Sequence, residues 1–449
     1  MFRELAYYLL VFTSLIYMLH LGFYIVGANV YDIKLLIRKS KYKRLHRKIP
    51  VVSVIIPAYN EQFGIVKTLN SVLASSYRRI EIIIVDDGSK DATAKVVSDY
   101  LKNSSRLLPN SYKDRKYKNK KNKLRLVKAI IGQTSVTLVS QSNGGKAEAV
   151  NNGVINYAQG DLVMTLDADS TIDKDAIKNA VSYFKDPRIV GVASNVRVIS
   201  DGTALGVLQK IEHMIGYRSK KFYTITNCEF IVGGVASTYR MDVLQKVGFY
   251  DTDTQTEDIG LSMKIVTELG NAHSRIIYAS DVLAYTEGVQ SYKALFKQRY
   301  RWKLGMLQNL RKNAILFTNN DIKYSRMLTM YRIPMAYIGE AILMIEPVLL
   351  MYILYLSITS MNVTMLAGAY GTITAYILWT LLPDEYMSIK EKIKYSLISP
   401  FMYFMFYIMN VVQIVAVIKC IFNHKLVFGR VKTNSSWESP ERAAAIANS

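Results

Sequence analysis

Asp161-Leu-Val-Met-Thr-Leu-Asp-Ala-Asp-Ser170 holds an apolar run, Leu162 to Leu166, that leads straight into two carboxylates spaced by one residue. In an open α/β sheet, ligands are held beyond the carboxyl ends of the strands. Asp167 and Asp169 therefore stand where a ligand would bind. Two hard oxygen donors this close suit Mg²⁺ or Mn²⁺ on a diphosphate. Asp also suits turns, so the pair alone fits a plain strand-to-turn junction equally well.

The surrounding chain weighs against the plain junction. Val51–Ile56 is a continuous apolar run, as expected for a strand covered on both faces, and Pro57 is expected to end it. From Glu61 to Ser75, Ile65, Leu69, Val72 and Leu73 recur at helical spacing. A second strand, Ile80–Val85, leads to Asp86-Asp-Gly-Ser89 and a helix from about Asp91; a third, Val136–Ser140, leads to Asn143-Gly-Gly-Lys146. The alternation predicts an α/β, mostly parallel, doubly wound sheet. Each strand is followed by polar or acidic residues: Tyr59, Asn60 and Glu61; Asp86 and Asp87; Lys146; then Asp167 and Asp169. Any one could be a turn residue, but acids and a lysine converging on one rim make a site for a nucleoside diphosphate with a metal.

Four segments exceed the apolarity of a soluble core. Leu5–Val30, Met361–Leu382 and Ser396–Ile418 carry no charge, while Ile333–Thr359 contains Glu340 and Glu346. Their lengths fit bilayer crossings, and the first lacks a cleavage pattern. The formal charge of +22 over 449 residues is uneven. A basic collar, Lys34 to Lys48, follows the first segment and places the next domain in the cytosol. A second basic run, Lys102 to Arg125 with Asp114 its one acid, reads as a solvated loop in preference to a surface for anionic headgroups. No aromatic pattern accompanies it, so nucleic acid is not expected as a partner. Cys228 and Cys420 imply no disulfide framework. His213 and His273 have no partner pattern and read as structural. Acids at membrane depth usually face protein or water, so Glu340 and Glu346 fit a lined pathway or an interface.

The motifs ending at Glu61, Val85-Asp-Asp-Gly-Ser89, Asn143-Gly-Gly-Lys-Ala147 and Asp167-Ala-Asp169 resemble those of the family 2 inverting glycosyltransferases of GT-A fold. Gly233-Gly-Val-Ala-Ser-Thr-Tyr-Arg240, Thr256-Glu-Asp258 and Gln298-Arg-Tyr-Arg-Trp302 are similar to the membrane-embedded processive branch, which includes the cellulose, chitin, hyaluronan and poly-N-acetylglucosamine synthases. The resemblance runs from about residue 51 to 310 and does not account for the basic insertion.

It implies a UDP-sugar donor, N-acetylglucosamine or glucose, and a polysaccharide acceptor. Pro57, Tyr59, Glu61 and one of Asp86 or Asp87 would line the nucleoside. Asp167 and Asp169 would hold Mg²⁺ or Mn²⁺. Lys146, Gln298, Arg299 and Arg301 would face the diphosphate and offset its charge as the bond breaks. Asp258, with Glu257 beside it, would be the general base; Thr256 equally suits a helix N-cap, with both acids favourable to the dipole. Gly233 and Gly234 would admit the acceptor, or simply make the turn before a strand at Val235–Tyr239. Trp302 would stack under the acceptor's last sugar, or anchor at the membrane interface.

The expected organisation is a membrane helix at 1–33, a collar at 34–50 and a GT-A domain at 51–290 with its insertion at about 102–132. Interfacial helices follow at 291–330, membrane segments at 331–420 and a basic tail at 421–449. A multi-pass plasma-membrane enzyme with a cytosolic catalytic domain is expected, adding sugars to the end of a growing polysaccharide. Export of the polymer directly into the bilayer is a further hypothesis, with a membrane anchor without conduction as its alternative. A single-transfer enzyme on a polyprenyl- or lipid-linked acceptor, and a non-catalytic membrane-tethered scaffold, are the other readings. One span before the domain and three after would leave the C-terminus outside, in conflict with the basic residues His424, Lys425, Arg430, Lys432 and Arg442.

Overall fold

The computed structural model describes residues 2–41, 49–104, 106–107, 113–116, 123–361 and 363–428. Most of the collar beyond Lys41, the middle of the basic insertion, Asn362, and Arg430, Lys432 and Arg442 of the tail lie outside the described residues.

A 40-residue helix, α1 (Phe2–Lys41), precedes the α/β domain. The first strands and helices are β1 (Val52–Ala58), α2 (Ile65–Leu73), β2 (Ile80–Asp87) and α3 (Thr93–Ser104). The insertion supplies β3 (Arg106–Leu107), β4 (Lys113–Lys116) and β5 (Lys123–Ile131), followed by β6 (Thr134–Gln141), α4 (Lys146–Tyr157) and β7 (Leu162–Thr165). Next come β8 (Thr171–Ile172), α5 (Ala176–Tyr183), β9 (Ile189–Ile199), α6 (Ala204–Ile225), β10 (Ser237–Arg240) and α7 (Met241–Val247). The series closes with α8 (Glu257–Leu269), β11 (Arg275–Glu287), α9 (Tyr292–Lys312), α10 (Ile333–Thr359), α11 (Thr364–Leu381), α12 (Ile389–Phe422) and α13 (His424–Phe428).

Among the described residues one sheet runs in the order β3-β5-β6-β2-β1-β7-β10-β9-β11-β8. Strands β6, β2, β1 and β7 are parallel, as their apolar runs predict. Their register decides where the site forms: Ala58 lies beside Asp86, Asp87 beside Gln141, and Ile55 beside Thr165. The four carboxyl ends are therefore level. Strand β10 runs antiparallel to β7 with Ser237 opposite Thr165, which brings the residues before β10 to the end of β7.

Two local expectations are corrected. Pro57 does not end β1, which continues to Ala58 with Pro57 opposite Val85. The Ile55 carbonyl accepts from Leu166 on the β7 side. The pleat turns the nitrogen of Pro57 to that same side, beyond the end of β7, where no ladder bond is lost. The insertion is not simply a loop either. Strand β5 pairs antiparallel with β6 around the Gly132–Gln133 turn, with Val127 opposite Leu138 and Ala129 opposite Val136. Val127 and Ala129 are fully buried, and Gly132 takes the positive φ of 59° that the turn requires.

Helix α1 docks along α6. Gly27 permits this, because a Cβ there would stand 2.6 Å from the Phe222 ring. The Tyr24 and Tyr223 hydroxyls bond at 2.7 Å, and the Ser280 amide donates to the Tyr31 hydroxyl at 3.0 Å. Arg38 of the collar is folded onto the domain, 3.2 Å from Asp281, so it is not free for headgroups.

Among the described residues, three helices are long and apolar enough to cross a membrane, within Tyr7–Arg38, Met327–Thr359 and Phe404–Phe422. The expected segment Met361–Leu382 forms the shorter apolar helix Leu366–Leu381. Glu340 pairs with Lys303 of α9 at 2.5 Å, which makes it a tie between α9 and α10. Helix α12 is fixed at both ends to helices of the α/β domain. Glu391 meets Lys210 of α6 at 2.7 Å, and Asn423 donates to the Tyr300 hydroxyl of α9 at 3.1 Å. Gln308 and Arg311 of α9 then donate to the carbonyls of Leu426 and Val427. Residues 424–428 thus lie against α9.

Candidate active site

The level strand ends bring four side chains together around Gly234. A Cβ built there would lie 3.0 Å from Lys146 Nζ, 3.4 Å from Asp258 Oδ2 and 3.8 Å from Asp167 Oδ1. Lys146 Nζ is 2.7 Å from Asp167 Oδ1 and 3.1 Å from Glu257 Oε1. Lys146 opens α4, Asp167 follows β7, Gly234 precedes β10, and Glu257 and Asp258 open α8. Acids from distant stretches of chain therefore meet at one point.

The electrostatics follow from burial. Asp258 is pushed up to about 6, first by desolvation and then by the neighbouring Glu257 carboxylate. Burial alone would pull the Lys146 ammonium down; Asp167 and then Glu257 instead hold it above its ordinary range.

Asp87 is fully buried and acts as a clamp. Its Oδ1 accepts from Gln141 Nε2 at 2.8 Å and from the Gly144 amide at 2.9 Å, and its Oδ2 accepts from the Gly145 amide at 2.8 Å. Desolvation lifts it to about 6. These bonds fix the loop that delivers Lys146. Asp86, also buried, accepts from the Ser89 amide at 3.2 Å, and burial raises it too. Glu61 is buried, and Tyr59 is half-buried just beyond β1. A Cβ on Gly64 would lie 3.7 Å from Glu61 Oε2 and 3.4 Å from the Asp169 Cα, so Glu61 borders the Asp167–Asp169 turn. Asp169 accepts from the Ser170 hydroxyl at 2.8 Å.

Gln298, Arg299, Arg301 and Trp302 share α9, but Arg299 does not join the Lys146 cluster. Its Nη2 is 2.7 Å from Glu212 Oε2 of α6, and its guanidinium lies 4.4 Å from the Trp302 ring centroid. The His213 ring is 6.5 Å from Trp302, and burial, then Arg299, lowers its pKa to about 3. It is neutral at physiological pH.

Thr256 makes no side-chain cap for α8, contrary to the capping expectation. Its hydroxyl and carbonyl instead accept from Asn309 Nδ2 of α9, at 3.1 Å and 3.0 Å. A Cβ on Gly305 would lie 2.3 Å from the Thr256 hydroxyl. Helix α9 thus presses directly on the segment that carries Glu257 and Asp258. Glu212 and Asn309 were not singled out from the sequence, since neither lies in a strand-end motif. Asn309 is one helical face, seven residues, beyond Trp302, and that spacing was the available signal. Asn309→Ala is expected to cost about 1–3 kcal/mol of stability, measurable by thermal unfolding, because Thr256 loses a buried donor. Turnover should fall more than donor affinity.

Among the described residues no group of three or more acids, histidines or cysteines is placed to hold a metal. Two carboxylates leaving one strand end are a fitting partial set, since Mg²⁺ is commonly held by one or two carboxylates plus substrate phosphates. The position already attracts a cation, as Lys146 on Asp167 demonstrates.

The glycosyl transferase family 2 model matches residues 53–133, and the related "glycosyltransferase like family 2" model matches residues 116–305. Residues 53–305 of the chain thus carry glycosyltransferase family 2 sequence. It is 32% identical over 289 residues to the poly-beta-1,6-N-acetyl-D-glucosamine synthase of Staphylococcus epidermidis, a match covering 63% of this chain and 62% of that protein. The Staphylococcus aureus protein of the same name is 32% identical over 257 residues, covering 57% of this chain and 54% of the relative. The matched region thus spans less than two thirds of either relative. Among solved structures, a mannosyltransferase from Pyrobaculum calidifontis in complex with GDP-Man and Mn²⁺ aligns with a TM-score of 0.47 at 19% identity, covering 82% of this chain and 99% of that one. Staphylococcus aureus TarS in complex with UDP-GlcNAc aligns with a TM-score of 0.35 at 17% identity, covering 59% of this chain and 71% of that one.

Proposed function

We propose that this protein is a membrane-bound inverting hexosyltransferase. It moves a sugar, N-acetylglucosamine by analogy with its named relatives, from a UDP-sugar to the end of a growing polysaccharide. The observation that carries the reading is the meeting of Lys146, Asp167, Glu257 and Asp258 around Gly234 at the carboxyl ends of the sheet.

The donor's nucleoside lies against Tyr59, Glu61 and Asp86, while Asp87 is occupied with the Gly144–Gly145 loop. Asp167 and Asp169 hold Mg²⁺ or Mn²⁺, which when bound offsets the charge of the departing diphosphate. Lys146 adds a fixed positive charge on the same side. Asp258 accepts the proton of the acceptor hydroxyl as that oxygen attacks the anomeric carbon, and its raised pKa suits a base working near neutrality. Gly234 has no side chain to obstruct the acceptor's approach. Trp302, steadied by Arg299 and through it by Glu212, forms the floor under the acceptor sugar.

The basic residues at the end of α1 favour a cytosolic catalytic domain. The contacts of α13 with α9 support the same side for residues 424–428.

Purified protein in lipid, supplied with a panel of UDP-sugars and Mg²⁺ or Mn²⁺, is expected to release UDP and extend an acceptor by many residues. Release of no UDP from any donor would overturn the enzymatic reading. A product longer by one sugar would overturn the polymerising part. Trp302→Ala should raise the acceptor KM about tenfold, the equivalent of about 1.4 kcal/mol of lost stacking, with UDP affinity unchanged. Unaltered polymer length and acceptor KM would remove Trp302 from the acceptor site.

A further inference from the structure

A cavity of about 350 Å³ lies away from the catalytic cluster, between α1, α6, β9 and the turn joining α11 to α12. Asn29, Asp32, Arg197, Arg218, Lys221 and Asp384 supply its polar lining. None of the residues around Gly234 contributes to it.

Three cations, Arg197, Arg218 and Lys221, face three acids, Asp32, Asp384 and Glu385, so the lining is balanced overall, but the close pairs are uneven. Arg197 meets Asp384 at 3.0 Å, and Lys221 meets Asp32 at 2.6 Å. Arg218 is left with the remainder. Its Nη1 is 3.9 Å from the Asp32 carboxylate that Lys221 already engages, and its Nη2 donates to the neutral Asn29 amide oxygen at 3.0 Å. Its Nε is buried without a hydrogen-bond partner, although the side chain is only 5% exposed. A guanidinium withdrawn from water and matched to half a carboxylate is costly, and an added anion would offset that cost.

The position of the cavity narrows the choice of anion. Its walls include Asn29 to Leu35 at the end of the candidate membrane span of α1, and Thr380 and Pro383 at the end of the shorter apolar helix α11. Ile33 lines the cavity yet is 59% exposed, and Leu36, Ile37 and Leu382 beside it are also exposed. Apolar side chains at the mouth and an under-neutralised arginine within match a molecule with acyl chains and a phosphate. Asp32, Asp384 and Glu385 in the same lining disfavour a polyanion.

We propose that this cavity seats the phosphodiester headgroup of a membrane phospholipid, with the phosphate on Arg218 and the acyl chains along Ile33, Ile37 and Leu382. Basic pockets between membrane helices are a recurrent way to hold headgroups. The inference does not depend on the chemistry assigned to the catalytic cluster.

The test uses the full chain in nanodiscs containing a photoactivatable phosphatidylethanolamine, with the adducts mapped by peptide mass spectrometry. Adducts are expected to concentrate on residues 29–37 and 380–386. Unlabelled phospholipid should compete, and inorganic phosphate at millimolar concentration should not. Arg218→Gln should lower labelling at these peptides at least tenfold while leaving adducts on α10 and α12 unchanged. Wild-type adducts spread evenly over every apolar helix would overturn the proposal even if the variant failed to fold. Displacement by inorganic phosphate would overturn the lipid assignment, and equal labelling of the folded variant would overturn the role of Arg218.

Discussion

Asp258→Asn is expected to slow sugar transfer by about 10²–10⁴-fold while UDP still binds. The substitution preserves the shape of the side chain and removes its capacity to take a proton. General-base catalysis contributes about 10²–10⁴-fold, so the turnover number should fall into that range. The diphosphate-facing groups, Lys146 and Asp167, are paired at 2.7 Å, and Asp258 holds the Lys146 ammonium less strongly than Asp167 and Glu257 do. UDP affinity, measured by calorimetry, should therefore change by less than about threefold. The pH profile supplies a second reading. Desolvation and Glu257 raise Asp258 to about 6 in the free protein, and a base works only when deprotonated. The wild-type kcat/KM should thus fall about tenfold per pH unit below that value. Residual activity of the variant should lack this limb. Equal loss of transfer and of UDP binding would show that Asp258 shapes the donor site instead.

The parallel half of the sheet and its rim were legible because they are written in local signals. Apolar runs such as Ile80–Val85 end in polar clusters, and a level register follows once those runs pair as parallel strands. Asp167 and Lys146 each sit at such a junction, whereas Asp258 opens α8 and stood out through the resemblance of Thr256-Glu-Asp258. Strand β5 was hidden because the charges around it set the apparent character of the segment. Its two buried side chains, Val127 and Ala129, are short and separated by Lys128, and only pairing with Leu138 and Val136 gives them a core. The Asn309 contact with Thr256 and the Glu212 contact with Arg299 were illegible for a different reason. Both join side chains of separate helices, 53 and 87 residues apart, and neither leaves a periodicity or motif behind. Arg299 shows the consequence. Its motif, by resemblance, set it against the diphosphate, yet its partner is Glu212, a carboxylate of α6.

Lys146→Met is expected to produce the largest stability change in the α/β domain. Lys146 is about four-fifths buried, and its ammonium lies within salt-bridge distance of both Asp167 and Glu257. Methionine fills a similar volume but leaves Asp167, Glu257 and Asp258 facing one another. Removing one partner of a buried ionic group costs about 3–5 kcal/mol, measurable as a lowered midpoint in urea unfolding of the detergent-solubilised protein. The deficit should depend on pH with a definite sign. Uncompensated carboxylates take up protons more readily in the folded state than in the unfolded chain, so folded-state pKa values rise above unfolded ones. Stability of the variant is then highest at low pH and falls as pH rises through those folded values. The gap from wild type should therefore widen between about pH 5 and pH 8. Glu257→Gln in the Lys146→Met background should recover part of the loss, since it removes one of the three opposed charges. Mg²⁺ should stabilise the single variant more than wild type, because binding no longer displaces an ammonium from Asp167. A variant that unfolds like wild type at pH 8 would mean that the carboxylates are held apart by the backbone alone, and the electrostatic account of this site would fail.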